Sequence, residues 1–255
     1  MFRQLRILAL LLLLFGVALT TWQTKMRTTD WDESLWMVVY PINGDGSDAS
    51  RRYIEGLKES TFEPIESFLK REAKRYGVAI DQPLIVKLST ELDELPPAPP
   101  QSANPLRVAW WSLKMRYWAL THNNFDGPSP DIQMFVLYHD PDKQQQLAHS
   151  LGLEKGLIGV VNAHAGKKMA ARNNVVIAHE MLHTVGASDK YDVSNNLPIF
   201  PVGYAEPDRN PLHPQRKAEV MAGRIPHSAR KAVMPRGLKS TMVGETTAIE
   251  IRWLP

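Results

Sequence analysis

The stretch NVVIAHEMLHTVGASD, residues 174–189, carries the strongest structural signal in this sequence of 255 residues. Its apolar residues recur at helical spacing, which predicts a helix over residues 174–185. His179 and His183 are four residues apart, so they lie one turn above each other on one face of that helix. Glu180 lies about 100° around the helix axis from His179, beside the two imidazoles. The opposite face is apolar and can pack into a core; it consists of Val175, Ala178, Leu182 and Val185.

Two imidazoles held one helical turn apart can bind a single metal ion. The sequence contains no cysteine, which excludes thiol catalysis, thiolate zinc sites and disulfides, so any metal ligand must be His, Asp or Glu. A bound Zn²⁺ ion lowers the pKa of water toward 7 and polarises a carbonyl group. A carboxylate placed like Glu180 can accept the proton from that water and return it to a leaving amine. The pattern therefore predicts zinc-dependent hydrolysis with one Zn²⁺ ion and Glu180 as general base.

The string HEMLHTVGASD, residues 179–189, also resembles the metzincin metallopeptidases, whose motif is H-E-x-x-H-x-x-G-x-x-H/D. The resemblance implies that the chain turns sharply at Gly186 and that Asp189 becomes the third zinc ligand. It also implies a methionine turn beneath the metal, for which Met221 is the best candidate and Met234 the second. The implied activity is that of a metalloendopeptidase acting on a protein or peptide substrate.

The resemblance further implies a substrate-binding strand just before the active helix, and residues 156–163 (GLIGVVNA) stand in that position. An extended substrate would then add to an exposed sheet edge. His164 follows this strand and is a candidate substrate-binding residue. Tyr191 and Tyr204 are rival candidates for stabilising the oxyanion, as tyrosines do in some family members.

Alternatives to this interpretation stay open on the sequence alone. In a gluzincin-type peptidase the third ligand would be Glu206 or Glu219 instead of Asp189, and Asp192 is a further carboxylate close by. A membrane-anchored binding or assembly protein with a structural metal site is a second alternative, although it would have no need of Glu180. Hydrolysis of a non-peptide amide, for instance in cell-wall material, is a third, because the motif does not distinguish amide substrates.

The N-terminus has the layout of a signal sequence. Arg3 and Arg6 precede an uncharged, leucine-rich run over residues 7–22, which corresponds to a positive n-region followed by an apolar h-region. No convincing small-x-small cleavage site follows, so residues 1–24 are interpreted as an uncleaved signal anchor with the arginines in the cytoplasm. Residues 25–255 would then form a metallopeptidase-like domain on the periplasmic side of the membrane, and secretion after signal cleavage is the alternative.

Apolar runs and helical patterns alternate along the rest of the chain. The expected strands cover residues 35–42, 84–88, 132–138 and 156–163. The expected helices cover residues 48–76 with a break near Pro64, 106–120, 174–185 with Asn173 or Asn174 as N-cap, 215–222 and 227–233. We therefore predict an α+β or mixed α/β domain with a small twisted sheet, an active-site helix and an irregular C-terminal half.

The charge and aromatic content of the sequence indicate which classes of binding partner it favours. The formal net charge is +3, and residues 207–240 hold eight Lys or Arg against two acidic residues, which predicts a solvated basic face. No Arg/Lys cluster with interleaved aromatics supports nucleic-acid binding. The expected helix over residues 106–120 is rich in aromatic residues, and at helical spacing we expect them in the core; they are Trp110, Trp111, Tyr117 and Trp118.

Overall fold

A computed structural model describes residues 29–100, 104–154 and 156–255, and five further residues before them: Gln4, Arg6, Ile7, Leu11 and Phe15. In these ranges the chain has a mixed α/β fold built on a five-stranded sheet, as the sequence predicts. The predicted signal anchor, residues 1–24, lies almost entirely outside the described residues. Among the residues that are described, no helix is both long enough and apolar enough to cross a bilayer.

Five strands form the central sheet: β1 (Leu35–Asn43), β2 (Leu84–Leu88), β3 (Ile132–His139), β4 (Leu151–Leu153) and β5 (Ile158–His164). Their order across the sheet is β2-β1-β3-β5-β4. β1, β2, β3 and β5 are parallel, whereas β4 runs antiparallel to β5. The expectation that residues 156–163 offer an exposed edge is therefore wrong, because β4 covers the side of β5 that faces away from β3.

Five α-helices lie in the described part of the chain: α1 (Asp48–Glu55), α2 (Glu63–Arg75), α3 (Pro105–Thr121), α4 (Ala170–Thr184) and α5 (Glu245–Glu250). A 3-10 turn at Glu59–Thr61 separates α1 from α2. The predicted break near Pro64 is confirmed: this proline lies in the first turn of α2, where its missing N–H would have no helical partner in any case.

Both faces of the sheet are buried. In β1, Met37 and Val39 belong to the core that contains α2 and α4, whereas Val38 and Tyr40 belong to the core beneath α3. Successive side chains of a strand point to opposite faces, so the helices form two layers around the sheet. A parallel sheet covered on both faces explains why its strands read as continuous apolar runs in the sequence.

Helix α4 begins four residues earlier than the sequence suggests. Asn173 and Asn174, expected as N-caps, are buried within the helix. Asn173 exchanges two hydrogen bonds with the backbone of His164, at the end of β5. Asn174 donates to the carbonyl oxygen of Thr61. These amides therefore fasten α4 to its neighbours instead of capping it.

The C-terminal part is irregular, as predicted, and its regular elements are mainly very short strands: β6 (Tyr191–Asp192), β7 (Leu197–Pro198), β8 (Ala218–Glu219), β9 (Ile225–Ser228), β10 (Lys231–Val233) and β11 (Thr241–Met242). The helices expected at residues 215–222 and 227–233 are wrong. β9 and β10 form a hairpin, and β8 pairs with β11. The buried carboxylate of Glu219 accepts hydrogen bonds from Ala222, Gly244 and Thr247, which holds this region in a turn.

Candidate metal centre

Helix α4 and the bend after it bring three possible metal ligands together. His179 and His183 project from the last two turns of α4. Gly186 has a φ of 107°, a backbone conformation that favours glycine, and it reverses the direction of the chain. The N–H of Ala187 bonds to the carbonyl of Leu182, so the bend is closed tightly against the helix end. The bend thereby places Asp189 close to the imidazoles of His179 and His183.

The three ligand atoms form a nearly equilateral triangle. The two imidazole Nε2 atoms are 3.1 Å apart, and Asp189 Oδ1 lies 3.1 Å from that of His179 and 3.2 Å from that of His183. Tetrahedral zinc with bonds of about 2.0–2.1 Å needs its ligand atoms roughly 3.3 Å apart. The triangle fits that requirement, and this His-His-Asp cluster could bind a metal ion.

Backbone carbonyls orient both imidazoles. His179 Nδ1 lies 3.0 Å from the carbonyl oxygen of Val220, and His183 Nδ1 lies 2.8 Å from that of Ala187. A carbonyl can only accept, so each Nδ1 carries a proton and donates it. In the neutral imidazole the lone pair is then on Nε2, which points into the triangle. This is the outer-shell arrangement that holds metal-binding histidines in place.

The electrostatics of the triangle favour a positive charge at its centre. Burial raises the pKa of Asp189, but hydrogen bonds and charge interactions with the protonated imidazoles of His179 and His183 outweigh it and hold that pKa well below its usual value. Burial lowers the pKa of His179, yet the hydrogen bond to Asp189 and the charge of Glu180 more than reverse this, and the net pKa is raised. A cation shared by these groups, whether a proton or a metal ion, is therefore stabilised.

Glu180 lies beside the triangle and is 5% exposed. Burial raises the pKa of its carboxyl group, although His179 and His183 partly oppose that shift. The edge strand β4 passes directly over this part of α4. A Cβ atom at Gly152 would lie 2.5 Å from both the carbonyl oxygen of Glu180 and Cβ of His183, so only glycine allows this approach.

Comparison with known proteins gives no basis for assigning a function beyond the motif at residues 179–189. No protein-family model matches the sequence, and no curated protein matches it. The resemblance of residues 179–189 to the metzincin motif accordingly stays an interpretation.

The candidate oxyanion and substrate-binding residues, Tyr191, Tyr204 and His164, do not all lie near the triangle. Tyr191 is half-buried, and its ring centroid lies 6.4 Å from that of His179. Burial and the nearby charge of Asp189 raise the pKa of its hydroxyl. Tyr204 instead pairs with His213, with 3.2 Å between its hydroxyl and Nε2. His164 Nε2 lies 3.0 Å from the carbonyl of Gln144. Of the three, the structure brings Tyr191 to the triangle.

Met221 is fully buried in the turn after β8. Its carbonyl accepts a hydrogen bond from the N–H of Lys190, and the residue before it, Val220, holds His179. The segment therefore supports the metal triangle through its backbone. This position is compatible with the methionine turn that the resemblance implies.

The alternative carboxylate ligands are engaged elsewhere. Glu219 accepts the three hydrogen bonds described above. Glu206 accepts from Arg209 and from the backbone of Arg216. Among the described residues the structure groups Asp189, and neither glutamate, with His179 and His183.

Three contributors to the site were missed by sequence reasoning. The carbonyl of Val220 has no side-chain signature, and Gly152 lies in a three-residue strand that is too short to show periodicity. Lys190 looks like an ordinary surface lysine in the sequence, yet it is buried and pairs with Glu250. Its position directly after Asp189 is the only signal that could have drawn attention to it.

Proposed function

We propose that this protein is a zinc-dependent metallopeptidase in which His179, His183 and Asp189 bind the metal ion and Glu180 is the general base. The observation that carries the proposal is the triangle of ligand atoms with edges of 3.1, 3.1 and 3.2 Å, with a buried carboxylate on the next helix position. A structural zinc site has no chemical use for that carboxylate, whereas metal-assisted hydrolysis requires one.

Each group has a defined part in the proposed reaction. When bound, Zn²⁺ supplies Lewis acidity, lowering the pKa of a water molecule and polarising the scissile carbonyl. Glu180 accepts the proton of the attacking water and returns it to the leaving amine. Its pKa, raised by burial, suits a group that must hold a proton and then release it. Tyr191, whose ring lies near that of His179, is the proposed donor to the developing oxyanion.

Substrate capture is proposed at β4. This strand pairs with β5 on one side, and no described strand pairs with its other side. An extended peptide can add to such an edge through main-chain hydrogen bonds. Because Gly152 lies against α4, a peptide on β4 would run close to Glu180. We propose a protein or peptide substrate on these grounds.

The N-terminal sequence supports a location for this activity. The apolar run over residues 7–22 follows two arginines, which favours a membrane anchor with the remaining chain on the periplasmic side. The proposed peptidase would therefore act outside the cytoplasm, either tethered through residues 1–24 or released after cleavage.

The decisive experiment compares metal content and turnover in one pair of variants. Glu180→Gln should keep stoichiometric zinc and lose about 10²–10⁴-fold in the rate of peptide-library digestion, because general base catalysis contributes that much. Glu206→Gln, whose carboxylate bonds to Arg209, is the matched control and should retain full activity. Turnover that Glu180→Gln leaves unchanged would contradict the role of Glu180 as general base, and bound zinc without turnover in the wild type would instead support a binding or assembly protein.

The third ligand is tested separately. If Asp189 is the ligand, Asp189→Ala removes zinc and Glu219→Gln leaves it bound, because the Glu219 oxygens already accept hydrogen bonds from Gly244 and Thr247. The opposite result would support the gluzincin-type arrangement.

A further inference from the structure

Helix α3 has two apolar faces, and the sheet covers only one of them. The buried face consists of Trp111, Met115, Trp118 and Ala119. A second set of large apolar side chains is between 56% and 81% exposed. We call this set the outer stripe; it consists of Leu106, Trp110, Leu113, Tyr117 and Leu120. The sequence-based expectation of core packing is therefore wrong for Trp110 and Tyr117.

The outer stripe is continuous and points away from the core. Its members follow each other at intervals of 4, 3, 4 and 3 residues, so at 100° per residue they fall within an arc of about 80°. Met115, which is fully buried, lies on the opposite side of the helix. At 1.5 Å per residue the stripe is about 21 Å long. An exposed apolar surface of this length marks an interaction site.

Positive charge lies on both sides of the outer stripe. Arg107 and Lys114, both exposed, are about 80–100° from its centre on one side, and the half-buried Arg116 is about 80° away on the other. Lys114 Nζ lies 6.0 Å from the ring centroid of Trp110. Residues 95–125 contain no acidic residue at all. Long cationic side chains beside an apolar strip can extend to bind phosphates while their stems cover the apolar surface.

A cavity of about 660 Å³ opens where the outer stripe meets the proline-rich loop before α3. Its walls are mostly apolar, and Arg107 and Lys114 are among the residues that line it. An apolar hollow with two cations matches the chemistry of a lipid, which joins hydrocarbon to a phosphate. The other lining residues are Pro97, Ala98, Pro100, Leu106, Trp110 and Trp111.

We propose that the outer stripe of α3 binds the surface of an anionic lipid bilayer, with Trp110 and Tyr117 at the depth of the head groups. A cationic helix with aromatic and leucine side chains on one face has the composition of helices that lie in the membrane interface. The proposal is independent of the metal centre. It adds a second membrane contact to the apolar run over residues 7–22, which would keep a bilayer within reach of α3.

The charges argue against the other possible occupants. A second copy of α3 would place Arg107, Lys114 and Arg116 near the same cations, and residues 95–125 offer no acidic residue to pair with them; like charges at an interface are unfavourable. Residues 1–28 also hold only basic charges, at Arg3, Arg6, Lys25 and Arg27. Anionic phosphates complement the cations of α3, whereas these two partners do not.

The absence of cysteine allows a direct test on the full chain. Leu113→Cys, labelled with an environment-sensitive fluorophore, reports on the outer stripe, and Ser67→Cys, at an exposed position of α2, is the matched control. Both proteins are reconstituted into vesicles of phosphatidylglycerol and phosphatidylcholine, and into pure phosphatidylcholine. We expect a blue shift and increased emission at position 113 in the anionic vesicles only, and no change at position 67.

Removing the charges gives a quantitative readout. Arg107→Gln combined with Lys114→Gln should weaken docking of the labelled helix about 30-fold, since each cation near an anionic surface contributes roughly one factor of five. Emission at position 113 that is the same in anionic and neutral vesicles would overturn the proposal. If emission in neutral vesicles grows with the protein-to-lipid ratio, a second copy is the occupant. If the blue shift at position 113 does not depend on lipid charge but is lost when residues 1–28 are deleted, that segment is the occupant.

Discussion

Lys190 Nζ lies 2.7 Å from Glu250 Oε2, and this ion pair joins the bend that carries Asp189 to the C-terminal helix α5. The Lys190 side chain is 4% exposed and that of Glu250 is 26% exposed. Lys190 also donates to the carbonyl and hydroxyl oxygens of Ser188, which itself bonds to Glu250. The residues on both sides of Asp189 are thus held by one carboxylate.

The first prediction concerns this ion pair. Lys190→Met should lower the free energy of unfolding by about 3 kcal/mol, because it leaves a partly buried carboxylate without its cation. Zinc affinity should fall about 10–100-fold, as expected when support for a metal ligand is lost. Urea unfolding and a competitive chelator titration measure the two effects.

Lys70→Met is the control for that variant. Lys70 and Asp81 form an exposed pair at 4.0 Å, so its loss should change stability by no more than about 1 kcal/mol and leave zinc affinity unchanged. Wild-type zinc affinity in Lys190→Met would show that the pair does not position Asp189.

The second prediction concerns pH. Burial raises the pKa of Glu250, but hydrogen bonds from Lys190 and Ser188 outweigh it, and the pKa is lowered below its ordinary value of 4.5. A carboxyl group with a lowered pKa in the folded state stabilises the protein above its unfolded pKa, and this contribution disappears as the pH falls through the folded pKa. The stability difference between wild type and Glu250→Gln should therefore be largest above about pH 5 and shrink in more acidic solution. A difference that stays constant with pH would contradict this assignment.

The third prediction concerns the approach of β4 to α4. Gly152→Ala places a Cβ atom 2.5 Å from the Glu180 carbonyl oxygen and His183 Cβ, so strand or helix must move. We expect a loss of about 1–3 kcal/mol, typical of overpacking, and reduced peptidase turnover because Glu180 shifts with the helix. Gly166→Ala is the matched control, since its Cβ would meet Met169 at an ordinary 3.7 Å. Equal turnover in the two variants would show that the close approach of β4 to α4 does not affect the reaction.

The fourth prediction concerns metal removal. Zinc binding to the folded chain should raise its stability by about 2.7 kcal/mol when free zinc is 100 times the dissociation constant, so a chelator should lower the melting temperature. In Asp189→Ala this chelator effect should vanish. Asp192→Ala is the control, because Asp192 is exposed and bonds within its own turn to Ser194. Thermal unfolding of the three proteins with and without chelator would reveal the effect, and a chelator-sensitive Asp189→Ala would rule out that ligand.

The parts of the site that follow from local geometry could be predicted from the sequence. The spacing of His179 and His183 determines their common face on any helix, and Val175 and Leu182 pack in the core as expected. The four long strands of the sheet are apolar runs because both faces are buried. These features depend on neighbours within a few residues.

The remaining parts depend on contacts between distant positions. The carbonyl that holds His179 comes from Val220, 41 residues further along, and a backbone atom leaves no trace in the sequence. Asn173 and Asn174 have the composition of helix caps, but tertiary hydrogen bonds make them interior residues. Residues 215–222 have a helical pattern, yet the interactions of buried Glu219 favour a turn.

The hydrogen bond from His179 to Val220 has a consequence for the order in which the protein matures. During synthesis the two imidazoles leave the ribosome well before Val220 and Glu250. A nascent chain can therefore fold α4 early, but the carbonyl that orients His179 is missing until Val220 has been made, and the Asp189 bend has no anchor until Glu250 has been made. The three candidate ligands of this chain would therefore reach their mutual geometry only after residues far beyond them in the sequence have been synthesised.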